Sequence, residues 1–240
     1  MSKPVNPKSQ FSGTFPLGID FGTTNSVMSR YAHTVLKDGP ESLNFPLTGS
    51  MLYPSIALVD EEIDGIRTGV VAYNKRFTEP EKIVSSVKRR ITESTRYQVN
   101  DNSYSNVDIA EAIISDFVKE IKMTDHDLYP NIIVVTVPYY FGENENALLK
   151  QAAENAIHNQ LKYRGEIYLL PEPVAASIAS IYNLALENIQ SKVFFIYDIG
   201  GGTLDLTLVR ITNDTYTFSY EVLANDGIAL FGGDDIDELL

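Results

Sequence analysis

The chain has 240 residues, a formal net charge of −13 and no cysteine. This composition excludes disulfides, cysteine-ligated zinc and a thiol nucleophile. The acidic charge, with no prominent basic cluster, also argues against nucleic acid and anionic membrane surfaces as partners. The chain shows neither an apolar run as long as a membrane span nor a signal peptide at its start, so the expected location is the cytoplasm.

The first structured element is expected to begin at Phe15, because residues 1–13 are polar, contain two prolines and are predicted to be disordered. From Phe15 an apolar stretch leads into the segment GIDFGTTNS at residues 18–26. Asp20 and Gly22 stand there between apolar residues and a polar turn. This order predicts a strand, a hairpin turn and a second strand over residues 15–30. Further short strands are predicted at residues 53–59 and 69–73.

Residues 83–91 have a helical pattern that ends in three consecutive cations, Lys88, Arg89 and Arg90. Cations near the last turn of a helix are favoured by the helix dipole. A lysine that reaches a phosphate group is the alternative interpretation. The local sequence favours the dipole interpretation.

An alternation of helices and strands follows. Asp108 begins an amphipathic helix whose apolar face repeats every four residues: Ile109, Ile113, Phe117 and Ile121. Residues 131–137 are predicted to form a strand that is buried on both faces, and Pro138 ends it. A helix at residues 145–157 and a strand at residues 167–170 come next. This order predicts a mostly parallel α/β sheet.

Residues 171–179 open a further helix with proline in its first turn. Ala175, Ala176 and Ala179 give this helix a face with little bulk, which would suit either a hinge or ordinary tight packing. Glu172 is held between two prolines, but acids also occur at helix starts for dipole reasons alone. Its catalytic role is not established by the local sequence.

The most informative segment begins with the apolar run at residues 193–197, which predicts a buried strand. It ends in Asp198 and three glycines, and then resumes with leucines at every second position, which predicts a hairpin. The backbone N–H groups of three glycines can together cradle phosphate oxygens. Asp198, Thr203 and Asp205 could supply oxygen ligands to a cation and to an attacking water. A plain glycine hairpin is the alternative.

The two glycine turns share one pattern. Asp20 and Asp198 lie 178 positions apart, a spacing that is too long for a solenoid repeat and suits two related halves of one fold. Two such hairpins facing each other would clamp a polyphosphate. The sequence contains neither a P-loop nor the dinucleotide-binding, zinc-protease or esterase motifs, which excludes those classes of enzyme in their usual forms.

Six segments in chain order resemble motifs of the 70-kilodalton heat-shock chaperones of the DnaK type: residues 18–26, 87–89, 135–141, 172–176, 198–205 and 232–237. The resemblance implies the α/β actin-like ATPase (ribonuclease-H-like) fold. The first lobe would occupy residues 14–190, with a reduced outer subdomain at about residues 53–127. Residues 191–240 would form the opening strands of a second, truncated lobe.

The resemblance also implies roles for individual residues. Asp20 and Asp198 would hold Mg²⁺ through its waters, and Lys88 would lie beside the γ-phosphate of ATP. Glu172, Thr203 and Asp205 would order the attacking water and the metal shell. Small residues of the two turns would cradle the phosphates of ATP or ADP: Gly22, Thr23, Thr24, Asn25, Gly200, Gly201, Gly202 and Thr203.

The chain departs from the family pattern in several places. The stretch between Lys88 and Val135 is short, and Pro171 and Val174 stand where the family usually has Asn and Thr. The adenosine motif and any peptide-binding domain are absent from these 240 residues. Unfolded polypeptide clients and co-chaperones would therefore be partners of a longer parent protein, and the fragment itself is expected to be weakly active or inactive.

Two other functions stay open. The first is a sugar or acetate kinase of the same superfold, which would turn over ATP only with its acceptor. The second is a non-hydrolysing actin-like scaffold, which would show nucleotide-dependent assembly. A partial second lobe would also expose sheet edges, so self-association of the fragment is a further expectation.

Overall fold

The computed structural model describes residues 15–33, 38–125, 128–183, 190–214, 217–228 and 231–237. The disorder expected for residues 1–13 concerns a segment outside these ranges. In chain order the elements are β1 (Phe15–Phe21), β2 (Asn25–His33), β3 (Asp38–Ser42), β4 (Tyr53–Pro54), β5 (Ala57–Asp60), β6 (Gly65–Thr68), α1 (Gly69–Lys75), β7 (Ile83–Val84), β8 (Arg96–Val99), β9 (Asn102–Ser105), α2 (Asn106–Thr124), β10 (Pro130–Val137), α3 (Glu143–Leu161), β11 (Ile167–Pro171), α4 (Glu172–Asn183), β12 (Ser191–Ile199), β13 (Leu204–Asp214), β14 (Thr217–Ile228) and α5 (Gly233–Asp237).

The largest sheet has the strand order β11-β10-β1-β2-β3, and β4 pairs with β2 outside that path. β10 is parallel to β1 and to β11, whereas β2 is antiparallel to β1, β3 and β4. The prediction of a mostly parallel sheet is therefore wrong. Helical crossovers through α2 and α3 give the parallel pairs, and the hairpin turns give the antiparallel ones.

The main core lies on one face of this sheet, under α2 and α3. Ser105 and Asp108 form a capping box that fixes the start of α2, and the four predicted apolar positions of this helix are all buried. Along β10, Ile133, Val135 and Val137 are buried, but Ile132 on the other face is exposed. The prediction that this strand is buried on both faces is wrong, because the core under α2 and α3 covers Ile133, Val135 and Val137 but not Ile132.

Three predictions fail in the outer part of the molecule. Residues 53–59 are split into β4 and β5, where the N–H of Ser55 bonds to the carbonyl of Thr24. Residues 69–73 belong to the helix α1 instead of a strand, and Gly69 begins it with a left-handed φ of 62°. Residues 83–91 are not a regular helix. They form β7, a left-handed residue at Ser86 and a short 3-10 helix at Lys88–Arg90.

Two minor sheets have the orders β6-β5-β7 and β8-β9. A further three-stranded sheet has the order β12-β13-β14 and is antiparallel throughout. One of its faces packs on α4 through Val174, Val209 and Ile211, so α4 joins this sheet to the largest sheet. On β12, Val193, Phe195, Tyr197 and Ile199 are about half exposed or more, at 47–62%. The prediction of a buried strand at residues 193–197 is wrong, because no described element covers this second face.

No helix in the described ranges is long and apolar enough to cross a membrane.

Candidate functional site

The two predicted glycine turns are both formed. The first joins β1 to β2 and contains Gly22, where a side chain would collide with the carbonyl oxygen of Asn25. The second joins β12 to β13 and is closed by a hydrogen bond of 2.9 Å from the N–H of Gly200 to the carbonyl of Thr203. The first turn therefore needs a residue without a side chain at Gly22. At Gly200 a Cβ atom would make only ordinary contacts with Thr203, at 3.8 Å and 3.9 Å.

The two turns face one cleft of about 530 Å³. Most of the predicted site residues line it together: Asp20, Gly22, Thr23, Thr24, Asn25, Lys88, Glu172, Asp198, Gly200, Gly201 and Thr203. Two predicted residues lie beside the lining. Asp205 is paired with Asp198 across the hairpin and accepts a hydrogen bond of 2.9 Å from the Thr203 hydroxyl. Gly202 packs against Arg89 and Thr23.

Asp20 is oriented by a residue whose role was not predicted from the sequence. The hydroxyl of Thr136, on β10, donates a hydrogen bond of 2.8 Å to the Asp20 carboxylate, and Thr136 also lines the cleft. Because β10 is parallel to β1, both residues lie toward the same edge of the sheet. A single hydroxyl within the apolar run at residues 132–137 was the available signal.

Lys88 and Glu172 form an ion pair at the base of the cleft. The side chain of Lys88 is only 4% exposed, and that of Glu172 is 24% exposed. Burial raises the pKa of the Glu172 carboxyl, the charge of Lys88 opposes this shift, and Asp20 and Asp198 add to it. The dipole interpretation of this lysine therefore fails in the structure, since its ammonium group binds a carboxylate that is 84 positions away.

The cleft concentrates negative charge. Burial, together with the neighbouring Asp205 and Asp20, raises the pKa of Asp198, and Lys88 partly offsets the effect. Shifts of this kind, caused by burial and neighbouring like charges, cluster at functional sites.

Comparisons with known proteins bear on this cleft. The family model described as "Hsp70 protein" matches residues 16–240. The chain therefore belongs to the Hsp70 family. Among curated relatives described as "Chaperone protein HscA homolog", that of Aliivibrio fischeri strain MJ11 is 30% identical over 93% of this chain. Those of Vibrio parahaemolyticus and Burkholderia thailandensis are 31% and 29% identical, over 93% and 100% of it.

This Hsp70-family chain spans 36–38% of the length of those three relatives. The family match confirms the actin-like ATPase fold expected from the resemblance, and it implies a nucleotide-binding protein. It favours neither the sugar or acetate kinase nor the actin-like scaffold.

Two further side chains of this Hsp70-family chain lie at the cleft without having been predicted as site residues. Tyr140 lines it, and burial, with Asp205 and Glu172 nearby, raises the pKa of its hydroxyl to about 12, so the hydroxyl keeps its proton at neutral pH. Arg89 lies close enough for its charge to oppose that rise. Both residues lie within segments of the family resemblance, residues 87–89 and 135–141, but neither was assigned a role there.

The alanine face of α4 lines the cleft. Ala175, Ala176 and Ala179 form part of the wall of the cleft, while Val174 on the same helix packs against β13. The absence of bulk leaves space for a ligand, a use that neither a hinge nor tight packing between helices had suggested.

Proposed function

We propose that this chain is the ATP-binding and ATP-hydrolysing part of an Hsp70-type chaperone, and that the phosphates of ATP lie between its two glycine turns. The observation that carries the proposal is the convergence of two Asp–Gly turns, 178 positions apart in sequence, on one cleft. The volume of about 530 Å³ lies within the range of small-molecule sites in proteins.

The chemistry proposed for the cleft is positioning and charge stabilisation, which dominate phosphoryl transfer. The N–H groups of the two turns would bind phosphate oxygens, with Thr23 and Thr24 on one side and Gly200 and Gly201 on the other. The ammonium group of Lys88 would interact with the terminal phosphate as well as with Glu172, which would weaken its ion pair with Glu172. Glu172, thus partly released, would accept a hydrogen bond from the attacking water and orient it.

The donor set suits Mg²⁺ held largely through its waters. Among the described residues, no three His, Asp or Glu side chains are grouped to hold a metal ion directly. Mg²⁺ commonly keeps several waters and takes only one or two carboxylates, together with phosphate oxygens. Asp20 and Asp198 would hold it, and Thr203 with Asp205 would support that shell. When bound, the ion would neutralise charge on the phosphates.

In a protein as long as those relatives, the ATP cycle would drive a substrate-binding domain, with unfolded polypeptides as clients and co-chaperones as regulators. Residues 14–190 and 191–240 would form the first lobe and the beginning of the second, and the cytoplasm would be the place of action. The family match supports the chaperone assignment, and the position of α4 between the two sheets supports the division.

Calorimetric titration of Mg-ADP into the 240-residue chain tests the proposal, with circular dichroism to establish that the chain is folded. We expect one binding site, and at least about tenfold weaker binding for Asp198→Asn because it removes charge from the metal shell. Asp101→Asn is the matched control, since Asp101 is an exposed acid outside the cleft lining. A folded chain that releases no binding heat, or equal binding by both variants, would contradict the proposal.

A further inference from the structure

Arg89 lies where the two glycine turns meet. It follows Lys88 in the 3-10 helix at Lys88–Arg90, and its side chain is only 15% exposed. A methyl group built on Gly202 would lie 3.0 Å from its Nη1 atom and 3.1 Å from Cγ2 of Thr23. The guanidinium group therefore packs against the second turn beside a side chain of the first.

The same guanidinium group faces the element that supports the second turn. Its Nη1 atom is 3.8 Å from an oxygen of Asp235 in α5. That carboxylate accepts a hydrogen bond of 2.8 Å from the N–H of Gly232. The next residue, Gly233, donates a hydrogen bond of 3.0 Å to the carbonyl of Gly200. A continuous set of contacts thus leads from Arg89 through α5 to the glycine turn.

The neighbouring Arg90 shows which of these features are specific. The Nε atoms of both arginines are buried without a hydrogen-bond partner in the described part of the chain, so an unpaired donor does not distinguish them. The guanidinium group of Arg90 instead donates to the carbonyl of Ser85, within its own segment. Only Arg89, of the two, reaches the second turn.

We propose that Arg89 is a positioning residue that, with Asp235 as its counter-charge, holds the second glycine turn against the first at the separation that a bound polyphosphate needs. The proposal rests on the proposed function. Two sets of N–H groups bind one polyphosphate well only if their separation is fixed beforehand, because ordering them at the moment of binding costs affinity. The planar guanidinium group can contact Gly202 and Asp235 together, whereas a lysine offers a single charged point.

The first test measures release of a fluorescent ADP analogue with Mg²⁺ from the 240-residue chain. For Arg89→Gln we expect about tenfold faster release, as for a misplaced binding group, and for Arg89→Lys an intermediate rate, since it restores charge without the planar geometry. Arg90→Gln is the matched control and should resemble the unsubstituted chain. Asp235→Asn should add little in the Arg89→Gln background, because the contact is already broken.

The second test needs no nucleotide. The chain has no cysteine, so Gln151→Cys on α3 and Ala224→Cys on β14, both exposed, can carry a spin-label pair that reports the distance between the two sheets. Arg89→Gln should broaden the distance distribution, and Arg90→Gln should leave it unchanged. If Arg89→Gln leaves both the distribution and ADP release unchanged, the positioning role is refuted.

The two tests separate two kinds of failure. An unsubstituted chain that is folded but binds no Mg-ADP would refute the proposed function. The distance distribution of Arg89→Gln would still decide whether Arg89 holds the turns together. Arg89→Lys keeps the inference testable if Arg89→Gln does not fold.

Discussion

The loss of stability that follows from breaking the ion pair between Lys88 and Glu172 can be worked out from the structure. Breaking a buried pair by removing one partner costs about 3–5 kcal/mol, because the other charge stays buried without compensation. Glu172 keeps 24% of its exposure, and solvent reduces the penalty. We therefore expect Lys88→Met, which retains most of the apolar stem, to lower the free energy of unfolding by about 2 kcal/mol. For a chain of 240 residues this corresponds to a fall of about 4–8 °C in the melting temperature.

The loss of unfolding free energy caused by Lys88→Met should depend on pH, and the raised pKa of Glu172 determines the direction of that dependence. Burial already raises the pKa of this carboxyl and Lys88 opposes the shift, so removing Lys88 raises the pKa further. A carboxyl whose pKa is higher in the folded than in the unfolded state binds its proton more tightly when folded. The destabilisation caused by the buried carboxylate charge is largest when the pH is above the folded-state pKa. It disappears as the pH falls to the pKa of the carboxyl in the unfolded chain. The destabilisation by Lys88→Met should therefore be smaller at pH 5 than at pH 8.

Urea unfolding followed by circular dichroism at both pH values measures this difference. The comparison between variants cancels the titration of groups that Lys88 does not touch. Lys82→Met is the control, because Lys82 pairs with Glu79 on the surface and should leave the midpoint nearly unchanged at either pH. Equal losses at pH 5 and pH 8 for Lys88→Met would refute the argument that the charge of Glu172 causes the cost. No loss at either pH would show that the pair is not formed.

Two further changes test other parts of the cleft. Asp198→Asn should raise the melting temperature without ligand by about 1–2 °C, because burial and the nearby Asp205 raise the pKa of Asp198 and so make its charge unfavourable; a lower melting temperature would contradict this. Gly22→Ala should lower the free energy of unfolding by about 2 kcal/mol, because the new methyl group meets the carbonyl of Asn25, and unchanged urea unfolding would show that the turn is not rigid.

The two hairpins were predictable because their signals are local. An apolar strand, an aspartate and a glycine turn fix both the direction of the chain and the pairing across it. Asp198 indeed lies opposite Asp205 in the register, and the first turn joins β1 to β2 as predicted. The capping box of Ser105 and Asp108 is also local, but it was not identified from the sequence, and α2 begins at Asn106 and not at the predicted Asp108. Where each residue's partners lie within a few positions, the sequence determines the structure closely.

The surroundings of the cleft were less predictable because they depend on distant parts of the chain. Lys88 meets a carboxylate 84 positions away, and Thr136 meets one 116 positions away. Residues 83–91 have helical periodicity, but they are divided by the left-handed φ of Ser86. That conformation lets the segment leave β7 and turn Lys88 inward, and no propensity scale contains such a requirement.

The exposed strand β12 shows a different limit. A continuous apolar run indicates that a strand is suited to burial on both faces. It does not show whether other elements pack against both faces. In the described chain α4 covers one face, and Phe195 and Tyr197 on the other remain exposed. The apolar composition of β12 predicts that the strand favours burial, but the number of elements that pack on its sheet decides whether it is buried.

The charges of the cleft restrict the kind of ligand that it favours. Four carboxylates converge here, those of Asp20, Glu172, Asp198 and Asp205, and the raised pKa values of Glu172 and Asp198 make their ionisation less favourable than usual. A free polyphosphate would add negative charge to this group, and Lys88 is already paired with Glu172. The N–H groups that we propose bind phosphate would be useful only if the carboxylates were neutralised together with the phosphates. A divalent cation that shares its charge between them would do both. The electrostatics of the cleft therefore support the proposal that its ligand is a metal–polyphosphate complex and not a bare nucleotide.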